Sequence, residues 1–120
     1  MEWEFKNGIP IYQQLIQGLS IRIANGTYPP GSKVPAVREL ALEAGVNPNT
    51  VQRAFAELER EELLAARRTN GRFVTEDGER LERLREELAA GFVSEFCARL
   101  RKLGMDDRQI LGSVQKALGT

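Results

Sequence analysis

Polar side chains cluster where a helix is expected to begin, within the sequence GVNPNTVQRAF at residues 45–55. Asn and Gln each offer a hydrogen-bond donor and an acceptor, which suits a base edge in the major groove. Asn49, Gln52 and Arg53 would lie on one outward face of that helix, which we call the reading face. These residue types indicate recognition of a base edge, and they are equally compatible with an ordinary solvated helix surface.

The start of this helix has signals of its own. Asn47 is placed to act as the N-cap, because its side-chain oxygen can accept from the free N–H groups of the first turn. Pro48 then falls at the first helical position, where its fixed φ already suits a helix. Val51, Phe55 and Leu58 form the opposite, apolar face. The partial positive charge of the helix N-terminus also suits a phosphate group.

Residues for catalysis or metal binding are scarce. The 120-residue chain has no His and a single Cys, Cys97, which we expect to be a small buried or interfacial residue. A disulfide within the chain is therefore impossible, and a zinc site of the Cys/His type is not expected. No combination of nucleophile, base and acid stands out. We expect no enzymatic activity, no metal and no cofactor.

Charge and hydropathy argue against further classes of protein. The 17 basic and 17 acidic residues cancel, which argues against a nonspecific polyanion binder but not against a local basic cluster. Such a cluster lies in RRTNGR at residues 67–72. No apolar run approaches the roughly 20 residues needed to cross a bilayer, and the N-terminal MEWEFKNG carries acids where a secretory signal carries bases. The sequence predicts a cytoplasmic protein with no membrane contact.

Two amphipathic helices are predicted before the polar segment, and a hairpin after it. The first helix covers about residues 10–25, and the second is short and closed by Gly45 in a left-handed conformation. Leu64–Arg67 and Arg72–Thr75 are typical of short strands, with Asn70-Gly71 at the tip of the turn. The apolar faces of the two helices are Tyr12, Leu15, Ile16, Leu19 and Ile23, and then Val37, Leu40, Ala41 and Ala44.

The last third of the chain reads as two more helices. The first carries one long apolar seam and ends at Gly104, and the second begins at Asp106 or Asp107. A helix this long with one apolar seam must pack against the preceding domain or against another copy of the chain. The seam of the first helix consists of Leu81, Leu84, Leu88, Phe92, Phe96, Leu100 and Leu103. The apolar stripe of the second helix consists of Ile110, Leu111, Val114 and Leu118.

Three helices followed by a hairpin is the order of a winged helix-turn-helix. The predicted fold is mainly α with a small β-hairpin. Residues 1–76 form the winged helix-turn-helix domain, and residues 77–120 form a short two-helix dimerisation domain. A helix-turn-helix protein usually binds DNA as a dimer, because one reading unit rarely supplies enough specific energy. The C-terminal helices are the segment available to join two copies.

The chain resembles a known family over roughly residues 9–75. The sequence IPIYQQL…IANGTYPPGSKVPAVRELALEAGVNPNTVQRAFAELE…NGRFV is similar to the DNA-binding domain of the GntR family of bacterial transcription regulators. The NPNTVQRAF form and the short two-helix tail resemble its YtrA subfamily. The resemblance implies a homodimeric repressor that binds a palindromic operator in double-stranded DNA.

The resemblance also implies roles for individual residues. Arg38, in the proline-x-x-arginine-glutamate motif, would contact DNA, and Thr50 would hold a phosphate. The wing segment from Arg68 to Arg72 would enter or border the minor groove, and Lys33 in the preceding loop is a candidate phosphate contact. The predicted DNA-binding set is Lys33, Arg38, Asn47, Asn49, Thr50, Gln52, Arg53, Arg68, Asn70, Gly71 and Arg72.

Three positions depart from the family pattern. Ala36 replaces a common serine, which removes one helix cap and one phosphate contact. Glu62 stands where a glycine is usual after the third helix, so the turn into the wing can differ. Thr69-Asn70 replaces a commoner glycine-rich tip. These departures bear on how the wing contacts DNA more than on the fold.

Other readings of the same residues stay open at this point. Arg38 could pair with Glu39 or Glu43 at helical spacing, and Thr50 could serve only the helix cap. The arginines of the wing could be edge charges that deter aggregation. The domain could also be a protein-interaction module, which would lack the steep salt dependence of DNA binding. A small-molecule effector is not evident, and it would have to bind between subunits.

Overall fold

The computed structural model describes residues 2–120, apart from the side chain of Thr69. It confirms the predicted fold class of five helices and a two-stranded antiparallel hairpin. The chain divides into two compact units, one up to Arg85 and the other from Glu86 to Thr120. The elements are α1 (Ile11–Ala24), α2 (Val37–Ala44), α3 (Pro48–Arg60), β1 (Leu64–Ala66), β2 (Arg72–Val74), α4 (Gly78–Arg101) and α5 (Asp107–Leu118).

The core of the first unit forms where α1 and α2 pack on α3. Phe55 of α3 is its largest fully buried side chain, and Val51 and Leu58 lie on the same stripe. Because these residues recur at three and four, burying them turns the opposite face of α3 to solvent. The remaining core residues are Leu15, Leu19, Ile23, Val34, Leu40, Ala41, Ala54, Leu63, Leu64 and Val74.

The wing is built from β1, β2 and the turn at residues 67–71. Leu64 pairs with Val74 and Ala66 with Arg72, so both strands are one residue shorter than predicted. A 3-10 turn at Arg68–Asn70, followed by Gly71, closes the hairpin at the predicted position, with the Arg67 N–H donating to the Gly71 carbonyl at 2.9 Å. Gly71 has φ 96°, a conformation that glycine adopts readily.

The loop before α2 pairs with the outer edge of β2. The Val34 N–H donates to the Arg72 carbonyl at 3.0 Å, and the Val74 N–H donates to the Ser32 carbonyl at 2.9 Å. Lys33 consequently faces Phe73 in an antiparallel bridge. The loop thereby satisfies backbone groups of β2 that β1 leaves unpaired, and it places Lys33 beside the wing.

An N-terminal segment is fastened along α1. The guanidinium carbon of Arg22 lies 3.6 Å from the centroid of the Trp3 ring. The indole N–H of Trp3 donates to the Glu43 carboxylate at 3.1 Å. Gly18 makes room for the ring, since a Cβ there would collide with a Trp3 ring carbon. Burial raises the pKa of the nearby Tyr28 phenol, and Glu43 raises it further. The segment ties α1 to α2.

The beginning of α4 belongs to the first unit. Asp77 Oδ1 accepts from the backbone N–H of Glu79 at 3.0 Å and so caps the helix. The Arg80 side chain is buried and donates to the Glu61 carbonyl at 2.8 Å. Leu84 is also buried. These contacts hold the first turns of α4 against the winged-helix unit.

The second unit contains the rest of α4 and all of α5. Asp106 and Gln109 form a capping box that starts α5, as the sequence predicted for this region. The Asp107 carboxylate, 3.0 Å from the Arg101 guanidinium, raises the pKa of that arginine. Ile110 is buried, while several large apolar side chains stay exposed: Phe92, Val93, Phe96, Leu103, Leu111 and Leu118.

Backbone strain at Glu62 gives a first prediction. Glu62 has φ 62°, a left-handed conformation that costs an L residue about 1–2 kcal/mol and costs glycine much less. We expect Glu62→Gly to raise the free energy of unfolding by about 1 kcal/mol, as measured by urea denaturation. Glu62→Ala is the matched control, because it removes the same carboxylate and keeps the strain. Equal stability of the two variants would contradict this explanation.

Candidate nucleic-acid interface

The N-terminus of α3 is capped as its sequence predicts. Asn47 has extended backbone angles, φ −67° and ψ 135°, and its Oδ1 accepts from the Asn49 N–H at 2.7 Å. Pro48 occupies the first helical position, and Gly45 closes α2 with φ 69°. The predicted N-cap and left-handed cap are both confirmed. The two caps orient the helix tip and leave Asn47 exposed at the surface.

The reading face of α3 points to solvent. Asn49, Gln52 and Arg53 are all exposed, while Val51, one residue away from Gln52, is fully buried. Thr50 is half-buried, and its backbone N–H donates to the Asn47 carbonyl at 2.9 Å. The side-chain amides of Asn49 and Gln52 are available for hydrogen bonds to a groove edge.

Arg53 differs from its two neighbours because it leans toward α1. Its guanidinium carbon lies 3.6 Å from the centroid of the Tyr12 ring, within the range of a cation–π contact. Tyr12 is the second residue of α1 and is half-buried. The sequence pattern assigned Tyr12 only to the apolar face of α1, so its contact with the reading face was missed.

Arg38 lies at the start of α2, close to the tip of α3. Its side chain is exposed, and among residues 2–120 it forms no ion pair with Glu39 or Glu43. Arg38 and Pro48 line the same surface depression of about 310 Å³. The remaining lining residues are Ala41, Leu42 and Val46. The N-terminal ends of α2 and α3 therefore flank one surface, as a helix-turn-helix requires.

Lys33 and the tip of the wing lie together. The Lys33 side chain passes over Gly71, where a Cβ would approach its Cε to 2.8 Å. Arg68, with φ 47°, and Asn70 are exposed at the tip. Glycine adopts the positive φ at position 71 without strain, and the absence of a Cβ leaves room for the Lys33 side chain. The wing thus presents Lys33, Arg68 and Asn70 at one end of the first unit.

Arg72 is turned inward, away from the tip. Its Nε lies 2.7 Å from Glu59 Oε1, and its guanidinium carbon lies 5.0 Å from the centroid of the Phe55 ring. The side chain is half-buried. Arg72 therefore joins the wing to α3 in this structure, and the structure does not bring it together with the other predicted wing residues at the tip.

Other site chemistries find no support in the described part of the chain. No group of three or more His, Cys, Asp or Glu residues there could hold a metal ion. No helix among residues 2–120 combines the length and the apolar character that crossing a membrane would need. Cys97 is half-buried in α4. The exposed polar tip of α3 is the clearest candidate site.

A capped, outward-facing third helix beside a wing defines the class of winged helix-turn-helix DNA-binding proteins. The model of the gntR family of bacterial regulatory proteins matches residues 11–74. The chain belongs to this family of transcriptional regulators, as the sequence motifs predicted. Members of the family regulate transcription and are not enzymes, and the same holds for this chain.

Two relatives illustrate the extent of the similarity. The uncharacterised HTH-type transcriptional regulator YhcF of Bacillus subtilis (strain 168) is 32% identical over 115 residues, which is 96% of this chain and 95% of YhcF. The HTH-type transcriptional repressor YtrA of the same organism is 42% identical over 72 residues, covering 60% of this chain and 55% of YtrA. YtrA-type regulators are thus among the relatives.

Solved structures extend the comparison to three dimensions. A GntR family transcriptional regulator from Listeria monocytogenes superposes with a TM-score of 0.85 at 39% identity, covering 93% of this chain and 98% of that chain. The DNA-binding domain of AraR, in complex with operator ORX1, superposes with a TM-score of 0.57 at 28% identity. That match covers 62% of this chain and 99% of the AraR domain.

The cap at Asn47 gives a second prediction. We expect Asn47→Ala to lower the free energy of unfolding by about 1 kcal/mol, because the Asn49 N–H loses its acceptor. Asn47→Ser is the matched control and should stay within a few tenths of a kcal/mol, since serine caps about as well. Thermal and urea denaturation of both variants measure the difference. An alanine variant as stable as the serine variant would remove the cap from this account.

Proposed function

We propose that this protein represses transcription in the bacterial cytoplasm by binding a palindromic operator as a homodimer. The observation that carries the proposal is the exposed, capped tip of α3, which presents the side-chain amides of Asn49 and Gln52 to solvent. Two relatives support it: YtrA is named a repressor, and the AraR domain is in complex with its operator.

The exposed residues divide by chemistry. Asn49 and Gln52 carry a donor and an acceptor each, so they suit base edges. The exposed Arg38 and Lys33 suit phosphates through their positive charge, and the half-buried Thr50 through its hydroxyl at the start of α3. The wing tip adds further donors from its exposed side chains, Arg68 and Asn70.

The second unit is the proposed dimer contact. Phe92 and Phe96 are 43% and 40% exposed, which is a large apolar area to leave in water. They line a depression of about 480 Å³ together with Leu100 and Leu103. Glu95 and Arg99 border the same depression and could pair across a symmetric contact. A second copy laid on this face would cover it.

Some residues of the predicted seam already have little surface left to offer a partner. Leu84 and Ile110 are each 6% exposed in the single chain. Leu81, Leu88 and Val114 are half-buried. In the proposed dimer the contact therefore rests mainly on the residues that stay exposed, which are Phe92, Phe96, Leu103 and Leu111.

The function as a whole is tested by selecting bound duplexes from a random pool. We expect an inverted repeat, because two identical subunits related by a two-fold axis read two identical half-sites. Affinity for the enriched duplex should fall steeply with rising salt, through counterion release. Recovery of no preferred sequence, or binding that is insensitive to salt, would sink the proposal in favour of a protein-interaction module.

Base reading gives a third prediction. We expect Gln52→Ala to weaken binding to the enriched duplex by about 1–3 kcal/mol per contacted base pair and to relax the preference at that position. Gln17→Ala on the exposed face of α1 is the matched control and should bind as the wild type does. Fluorescence anisotropy against single-base variants of the duplex measures both. Equal effects of the two substitutions would remove Gln52 from the reading face.

The dimer contact gives a fourth prediction. We expect Phe96→Glu to yield monomers, because burying a carboxylate in an apolar contact costs several kcal/mol. Ser94→Glu adds the same charge to an exposed position on the opposite side of α4 and should leave the dimer intact. Sedimentation velocity distinguishes the outcomes. A dimeric Phe96→Glu variant would show that the contact lies elsewhere.

A further inference from the structure

We propose that Tyr12 is a positioning residue for Arg53, and that Arg53 contacts the DNA backbone instead of a base edge. The inference rests on the proposed DNA binding and divides the reading face into two parts. Asn49 and Gln52 would read sequence, whereas Arg53 would contribute affinity that is independent of sequence. The distinction has measurable consequences, because the two kinds of contact respond differently to base changes and to salt.

The geometry of the Tyr12–Arg53 contact leaves the donors of the arginine available. The guanidinium carbon of Arg53 lies 3.6 Å from the centroid of the Tyr12 ring, which places the planar group against the ring face. Stacking of this kind leaves the N–H groups around the guanidinium edge free to donate. Among residues 2–120, Arg53 forms no hydrogen bond or ion pair, so these donors have no protein acceptor.

Three other arginines lie over rings; one of them, Arg67 over Phe73, is exposed like Arg53, and the other two are not. Arg22 lies over Trp3 and donates to the Gly18 carbonyl at 3.0 Å. Arg72 lies over Phe55 and pairs with a carboxylate at 2.7 Å. Both use their donors inside the protein. Arg53 has the same ring support with an exposed side chain and no acid, which is the arrangement expected of an arginine held ready for an external anion.

Arg53 also lies toward one flank of the reading face. With about 100° between successive residues, Arg53 lies about 40° to one side of Asn49 and Gln52 about 60° to the other. The Tyr12 contact draws Arg53 farther toward α1, away from the centre of the reading face. When a helix tip enters a groove, its centre meets the bases and its flanks meet the sugar-phosphate walls. A guanidinium fixed on the flank therefore faces a phosphate.

The contribution of Tyr12 is preorganisation. An exposed arginine loses rotamer freedom when it binds, and a ring that already holds the guanidinium reduces that loss. The phenol oxygen has no role in this stack, so phenylalanine should replace tyrosine without loss. Leucine keeps apolar volume at the start of α1 and removes the ring face.

The probes are two duplexes: the one enriched from a random pool, and one of unrelated sequence at low salt. We expect Arg53→Ala to weaken binding to both by a similar factor of about 3- to 10-fold. The slope of log affinity against log salt should fall by about 0.9 for each protomer that loses a phosphate contact. The base preference of the variant, measured with single-base changes in the enriched duplex, should match that of the wild type.

The positioning role is tested by a double-mutant cycle. We expect Tyr12→Leu to weaken binding to both duplexes about 2- to 5-fold and Tyr12→Phe to leave it unchanged. In the Arg53→Ala background, Tyr12→Leu should cause no further loss. Thermal denaturation of each variant shows whether the measured protein is folded. A purely structural role for Tyr12 predicts instead that Tyr12→Leu weakens binding equally with and without Arg53.

The possible outcomes separate the backbone contact of Arg53, the positioning role of Tyr12 and DNA binding itself. If Arg53→Ala changes the preference at one base pair, or has no effect on either duplex, Arg53 is not a backbone contact and the inference fails while DNA binding stands. If Tyr12→Leu acts independently of Arg53, the positioning role fails alone. If the wild-type protein binds neither duplex, the proposed function itself is wrong.

Discussion

The rotation of α3 about its own axis is the constraint on which the rest of the site depends. Val51, Phe55 and Leu58 are at most 1% exposed. Burying each such side chain contributes about 1.5–3 kcal/mol to the stability of the fold. Turning the helix by one residue would expose that stripe and bury Gln52, whose amide would then lack partners. The outward direction of Asn49 is therefore a consequence of core packing. The packing of the core is therefore enough to orient the polar side chains of the site.

The same packing explains how a chain of zero net charge can present a basic surface. Several glutamates are engaged inside the protomer: Glu59 pairs with Arg72, and Glu57 with Arg60, each at 2.7–2.8 Å. Such pairs at or near the surface add little stability, but they neutralise charge locally. In the described residues, Lys33, Arg38 and Arg53 have no acidic partner. The whole-chain sum therefore hides a segregation of unpaired cations around the tip of α3 and the wing.

The sequence predicted features that depend on residues close together in the chain, and it missed contacts between distant segments. The caps at Asn47 and Gly45 are local, because donor and acceptor lie within two or three residues, and both were predicted. The pairing of residues 32–34 with β2 was not predicted, because it joins segments that are far apart in the sequence. The partners of Arg53 and Arg72 were missed for the same reason. Residue type identified these arginines as candidates, but only tertiary packing decides where a long side chain ends.

The second unit is small for a segment that folds alone. Residues 86–120 are fewer than the roughly 40 below which a domain usually needs a metal, disulfides or a partner to be stable. Cys97 is the single cysteine, and no metal-binding group exists among the described residues. In the proposed dimer, a partner subunit would cover the exposed Phe92 and Phe96 of this unit. In the proposed dimer, folding of the second unit and pairing of the reading faces would be one coupled equilibrium, so that operator affinity would depend on protein concentration as well as on the contacts of α3.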